Sequence, residues 1–126
     1  MPDWFEDVLE FHRKFGCRIN ALPMIPEEET IRLRLELVRE EIEELREATA
    51  AGDVVKLADA LADSVYVLVG MAISCGIDLR PVWDEVHRSN MAKEGGGTRF
   101  DGKITKPPGW QPPNVAGVLD AQQPLE

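Results

Sequence analysis

Two aspartates, Asp59 and Asp63, stand in one of the most apolar stretches of this chain, the run from Val54 to Gly70. Nothing in that run breaks a helix, and on a helix the two carboxylates lie one turn apart on the same face. A carboxylate among apolar groups loses hydration, at a cost of several kcal/mol, unless a positive charge compensates. No Lys or Arg falls between Lys56 and Arg80, so the compensating charge comes from another segment or from a metal ion. The acidic cluster upstream, Glu40, Glu41, Glu43 and Glu44 around Ile42, brings only more negative charge. Carboxylates from two helices with no internal cation point to a hard divalent ion, Mg²⁺ first among them.

The glutamates are spaced to share a cleft. At about 100° per residue, Glu44 falls between Glu40 and Glu41 on the flank of the apolar stripe of its helix. A solvated helix face is the competing reading. Against it, six glutamates lie between Glu36 and Glu47 with only two arginines to offset them. On the aspartate helix, Lys56, Asp59, Asp63, Tyr66 and Gly70 make a narrow polar track on an apolar cylinder. A buried hydrogen-bond network is the alternative there. The glutamates across from it favour a metal site, and two adjacent ions would suit phosphoryl chemistry.

A third group, His87-Arg88-Ser89-Asn90-Met91-Ala92-Lys93 followed by Lys103 and Lys106, turns an acidic chain locally basic. Arg and Lys grip phosphate oxygens, and the amide of Asn90 bridges phosphate or base edges. Cations favoured at a helix C-terminus are the plainer explanation. Trp4, Phe11, His12 and Phe15 on the first helix are of a type that stacks on a base, although core packing accounts for most of them. No phosphate loop is present, since Gly95-Gly96-Gly97 precedes no strand. No serine has the partners of a nucleophile.

The elements that position these groups read as helices. Trp4, Val8, Phe11 and Phe15 recur at helical spacing from about Trp4 to Phe15, where Gly16 ends the helix. A loop punctuated by Pro23 and Pro26 comes next. A second helix runs from near Glu27 to near Gly52 with Leu35, Val38, Ile42 and Leu45 as its core stripe. Asp53 caps a third helix reaching about Cys75, with Gly76 as its stop and apolar residues almost all round, hence burial on most sides. A fourth comes after Pro81, turns Val82, Trp83 and Val86 inward and reaches about Lys93. Glu94 to Thr98 reads as a flexible hinge, Lys106 to Pro113 as extended chain, and Val115–Leu119 as a last helical turn. The fold class is therefore all-α: a bundle of four to five helices with an irregular tail over about 94–126, in one domain spanning 1–126.

Composition narrows the function. With 126 residues and a net charge of -9, the chain is a poor ligand for nucleic acid or an anionic membrane. Two aspartates inside the apolar run argue against a membrane span. Cys17 and Cys75 have no metal-binding spacing, and the opening residues lack the basic and apolar parts of a secretory leader. Reduced thiols and a cytoplasmic location are expected. A chain this short buries only about two-thirds of its surface, so oligomerisation would help it.

The segments Leu37 to Leu45 and Ala58 to Tyr66 resemble the all-α nucleoside triphosphate pyrophosphatases. That superfamily holds MazG-like proteins, phosphoribosyl-ATP pyrophosphohydrolases and dimeric dUTPases. Glu85 to Lys93 and Asp101 to Pro107 resemble the phosphoribosyl-ATP-pyrophosphohydrolase-like branch with its dUTPase-like members, and the likeness runs from about Phe11 to Leu119. The family motif is ExxE followed by ExxD. Glu41 and Glu44 match its first half and Asp63 its last position, while Ala60 stands where the second Glu belongs and Asp59 is the neighbour able to compensate. The resemblance implies two or more Mg²⁺ or Mn²⁺ on Glu41, Glu44, Asp63 and Asp59, with Glu40 orienting or deprotonating the attacking water. It implies phosphate contacts from Asn90, Lys93 and Lys106, joined by Lys103, His87, Tyr66 and Phe11 in binding substrate. The expected reaction is hydrolysis of the α–β phosphoanhydride of a (deoxy)nucleotide such as dUTP, in a house-cleaning role, by a homodimer or tetramer. Phosphoribosyl-ATP hydrolysis and a non-catalytic helical metal- or nucleotide-binding module are the alternatives.

Overall fold

The computed structural model describes residues 2–125. Its described residues form five helices, α1 (Trp4–Phe15), α2 (Glu28–Ala51), α3 (Val54–Ser74), α4 (Leu79–Met91) and α5 (Val115–Asp120), and no strand. The class is all-α, as the periodicities predict. The chain falls into two compact units, Met1–Asp78 with Gln123–Glu126, and Leu79–Gln122.

In the first unit the helix ends are set by local chemistry. Asp3 accepts the amide of Glu6 to cap α1, and Asp53 accepts that of Lys56 to cap α3. Gly52, at φ 66°, closes α2 in the left-handed region, and the Asp53 amide bonds back to the Ala48 carbonyl. Only Gly52 and Asp53 separate α2 from α3, so the two helices run antiparallel as a hairpin. Residues equally far from Gly52 therefore meet. Glu41 and Asp63 lie eleven positions before and after it, and Arg34 and Gly70 eighteen before and after.

The buried faces differ from those the periodicity predicts. On α1 the interior holds Phe5, Val8, Leu9 and His12, while Trp4, Phe11 and Phe15 are exposed. On α2 the buried residues are Arg34 and Ala48, with Leu35 and Ile42 outside. A charged residue, Arg34, holds a core position, and this shifts the inward line away from the most apolar stripe. The third helix is buried mainly in its last third. Ile73 and Ser74 are fully enclosed, but Val54, Val55, Leu61 and Leu68 are exposed. By length and composition α3 would suffice to cross a membrane. Here its buried end packs with α1 and α2 instead.

The segment between α1 and α2 is stitched to the C-terminal end of α3. Asn20 bonds through its amide nitrogen to the Ser74 carbonyl at 2.7 Å, and Met24 through its backbone to that of Cys75 at 2.8 Å. The Leu125 amide donates to Ala21, also at 2.8 Å.

In the second unit α4 begins at Leu79, ahead of Pro81, and leaves Trp83 68% exposed rather than turned inward. The chain beyond α4 makes hydrogen bonds of its own and to α4. Thr98 and Ile104 form an isolated antiparallel bridge, with Arg99 and Lys103 bonded inside it at 2.7 Å. Pro107 to Trp110 make a turn closed by the Trp110 amide on the Pro107 carbonyl, with Gly109 at φ 79° where a type II turn needs it. The tail then runs back along α4. Trp110 Nε1 donates to the Ser89 carbonyl at 2.7 Å, and the Asn114 amide to Glu85 Oε2 at 2.6 Å. Donors four positions apart in the tail thus meet acceptors four apart on the helix, in reverse order.

Candidate active site

The α2–α3 hairpin brings three carboxylates together. Glu41, Glu44 and Asp63 each place an oxygen within 4.8 Å of the other two. Glu41 and Glu44 share a face of α2 as an i, i+3 pair, and the short Gly52-Asp53 turn sets Asp63 opposite Glu41. Glu41 Oε2 is fully buried and has no hydrogen-bond partner, an arrangement that costs free energy unless something positive completes it.

The electrostatics agree. The Glu41 carboxyl is pushed above the usual carboxylate range, first by burial. The closeness of the Glu44 carboxyl comes next, followed by the charges of Glu44, Asp63 and Asp59. Asp63 is raised as well, by burial and then by Asp59 and Glu44. Acids that raise one another with no cation between them form a site that a cation relieves. Three oxygen donors at this spacing suit Mg²⁺ or Mn²⁺, which take a few carboxylates and leave positions for water and phosphate. The residues present therefore fit the metal that the sequence implies.

The other sequence candidates are spread over both units. Asp59 is exposed, as are Val55 and Ala58 beside it, so it lacks the dry setting expected for it. Its charge is nonetheless felt by both Glu41 and Asp63. Glu40 is exposed, outside the three-carboxylate group, with its field acting on Arg39. Ala60 is 2% exposed and faces the interior. Phe11 and Tyr66 meet edge to face, their ring centroids 5.6 Å apart. Tyr66 also borders a groove of about 410 Å³ between α1 and α3, with Trp4, Asp7, Val8, Leu61 and Val69. In the second unit His87 and Asn90 lie exposed on α4. Lys103 lies in the bridged loop, its amide on Asp101. Lys93 and Lys106 both sit over the ring of Trp110.

Sequence reasoning missed a buried pair about two turns further along the same hairpin. Arg34, 8% exposed, donates to Nε2 of His12 at 3.4 Å, and His12 Nδ1 donates to the Arg18 carbonyl at 3.0 Å. A Cβ on Gly70 would come 2.6 Å from the Arg34 guanidinium and 3.1 Å from the His12 ring. A side chain at that position would push on this pair. Burial lowers the His12 pKa, the Arg18 carbonyl opposes that, and Arg34 adds to it, so the ring stays neutral and accepts. The mirror position of Arg34 and Gly70 about Gly52 was the available signal.

A profile of the phosphoribosyl-ATP pyrophosphohydrolase family matches residues 8–90, about two-thirds of the chain. The chain belongs to this family. Its members are nucleotide pyrophosphohydrolases of the all-α superfamily, typically metal-dependent and acting on small nucleotides. The matched range contains the acidic cluster and ends at Asn90, so Lys93, Lys103 and Lys106 lie beyond it. The chain is also similar to the uncharacterized protein L479 of Acanthamoeba polyphaga mimivirus, with 35% identity over 79 residues. That stretch is 60% of this chain and 32% of the viral protein, so the chain spans about a third of that relative's length.

Proposed function

We propose that the protein is a Mg²⁺- or Mn²⁺-dependent nucleoside triphosphate pyrophosphohydrolase, converting a (deoxy)nucleotide such as dUTP to monophosphate and pyrophosphate. One observation carries this reading: Glu41, Glu44 and Asp63 place carboxylate oxygens within 4.8 Å of one another, and Glu41 Oε2 is buried without a partner. Glu41, Glu44 and Asp63 hold the metal, with Asp59 adding charge in place of the glutamate that Ala60 lacks. The bound ions would polarise the phosphoryl oxygens and offset their charge. Glu40, exposed and outside the three-carboxylate group, is free to take the proton of the attacking water. Asn90, Lys93 and Lys106, with Lys103 and His87, supply donors of the kind that hold phosphate oxygens. Phe11 and Tyr66 present aromatic surface of the kind that stacks on a base. The enzyme is soluble and cytoplasmic and works as a homodimer, or a tetramer, that covers the exposed apolar residues of α3.

The family profile also favours phosphoribosyl-ATP as substrate, and Ala60 favours a helical module that binds without turnover. A panel of dUTP, the other dNTPs, NTPs and phosphoribosyl-ATP, with products monitored by phosphorus NMR in Mg²⁺ and Mn²⁺, separates these. Monophosphate plus pyrophosphate from a nucleoside triphosphate is the expected result. Turnover of phosphoribosyl-ATP alone would move the assignment to that substrate. Metal-dependent nucleotide binding without products would leave the module.

A further inference from the structure

In an acidic chain, cationic side chains are expected to find carboxylates. Arg32, Arg39, Arg88 and Arg99 do so with Glu28, Glu36, Glu85 and Asp101. Lys93 and Lys106 do not. Among the described residues neither has a carboxylate partner, and both ammonium groups gather on one indole. Lys93 Nζ lies 5.5 Å and Lys106 Nζ 4.8 Å from the centroid of Trp110. Two like charges drawn to a single ring concentrate positive charge there.

The ring is fixed before any ligand arrives. Its N–H is tied to the Ser89 carbonyl, Ser89 is itself 2% exposed, and the Pro107-Pro108-Gly109 turn sets the backbone of Trp110. The Asn114 amide on Glu85 secures the tail one helical turn away. The π face attracts each ammonium without neutralising it, as a carboxylate would.

We propose that Trp110 is a positioning residue: it holds Lys93 and Lys106 together as a platform for adjacent phosphoryl groups, the chemistry of pyrophosphate or the tail of a nucleoside triphosphate. This deepens the functional reading above and rests on it for the identity of the substrate. The platform itself is tested without turnover. Calorimetric titration of the full chain with inorganic pyrophosphate in EDTA excludes binding through a metal ion. Binding is expected to weaken about tenfold in Trp110→Leu, the loss of two cation–π contacts, and to be largely kept in Trp110→Phe. The double variant Lys93→Met/Lys106→Met leaves the indole in place and is expected to abolish binding. If it folds and still binds pyrophosphate as the parent does, the platform is refuted, and so it is if Trp110→Leu binds unchanged. In turnover, Trp110→Leu should raise KM with little change in kcat. Pyrophosphate binding that depends on Trp110, in a protein that hydrolyses no nucleotide, would uphold the platform and overturn the enzymatic reading. Normal turnover and an unchanged KM in Trp110→Leu would do the reverse.

Discussion

Changing Glu41 to Gln should stabilise the metal-free protein and remove its response to Mg²⁺. Glu41 faces Glu44 and Asp63 oxygens within 4.8 Å. Unit charges at that distance repel by about 0.9 kcal/mol even in a water-like dielectric, and by more where water is partly excluded. Two such neighbours, screened by ordinary salt, amount to about 1–2 kcal/mol. Removing the charge from a buried, unpartnered oxygen acts in the same direction. For a chain of this size the metal-free variant should melt about 3–8 °C above the parent. Mg²⁺ at about a hundred times its dissociation constant should stabilise the parent by about 2.7 kcal/mol and the variant by much less, so the order of melting reverses. Circular dichroism melts in EDTA and along a Mg²⁺ series read both effects. The raised acids add a sign. A carboxyl held above its unfolded pKa costs stability as pH rises through the folded value. The metal-free parent should therefore gain stability on mild acidification, and Mg²⁺ should cancel that gain. A variant that melts lower in EDTA, or that keeps the full Mg²⁺ shift, would refute the reasoning.

The first unit carries two further expectations. His12 has a lowered pKa, so its contribution is present above about 6.5 and is lost as pH falls towards the folded value. Melts in saturating Mg²⁺, which silences the acidic cluster, should show stability declining below that pH, and His12→Gln should flatten the decline. Gly76 is at φ 70°, and a Cβ there would lie 2.1 Å from the Leu22 carbonyl oxygen. Gly76→Ala should cost about 3 kcal/mol or more, through left-handed strain and a clash with backbone that cannot swing aside. A urea midpoint equal to that of the parent would contradict this.

Helix identity and helix ends were legible in the sequence because caps act locally. Asp53, Gly52, Gly16 and Gly76 each announce a boundary that the structure keeps. The convergence of Glu41 and Asp63 was readable too, since a two-residue turn fixes which positions meet. Facing directions were less legible. Trp4, Phe11 and Phe15 make the more apolar stripe of α1, yet Phe5, Val8, Leu9 and His12 are inside, because His12 serves a buried arginine that hydropathy scores as surface. Trp83, read as inward-facing, is exposed on α4. The tail reads as loose from its Gly and Pro content, but Glu85, Ser89, Trp110 and Asn114 tie it down through long-range hydrogen bonds that local composition does not encode.

The most direct test of the account is pyrophosphate release from the preferred nucleotide by the parent, Glu41→Ala and Asp63→Ala, with Mg²⁺ and with EDTA. The account predicts release by the parent only when the metal is present, and a loss of at least about a hundredfold in both variants, about 2.7 kcal/mol of transition-state stabilisation, with the helical signal intact. Release that survives EDTA, or that persists undiminished in both variants, would contradict it.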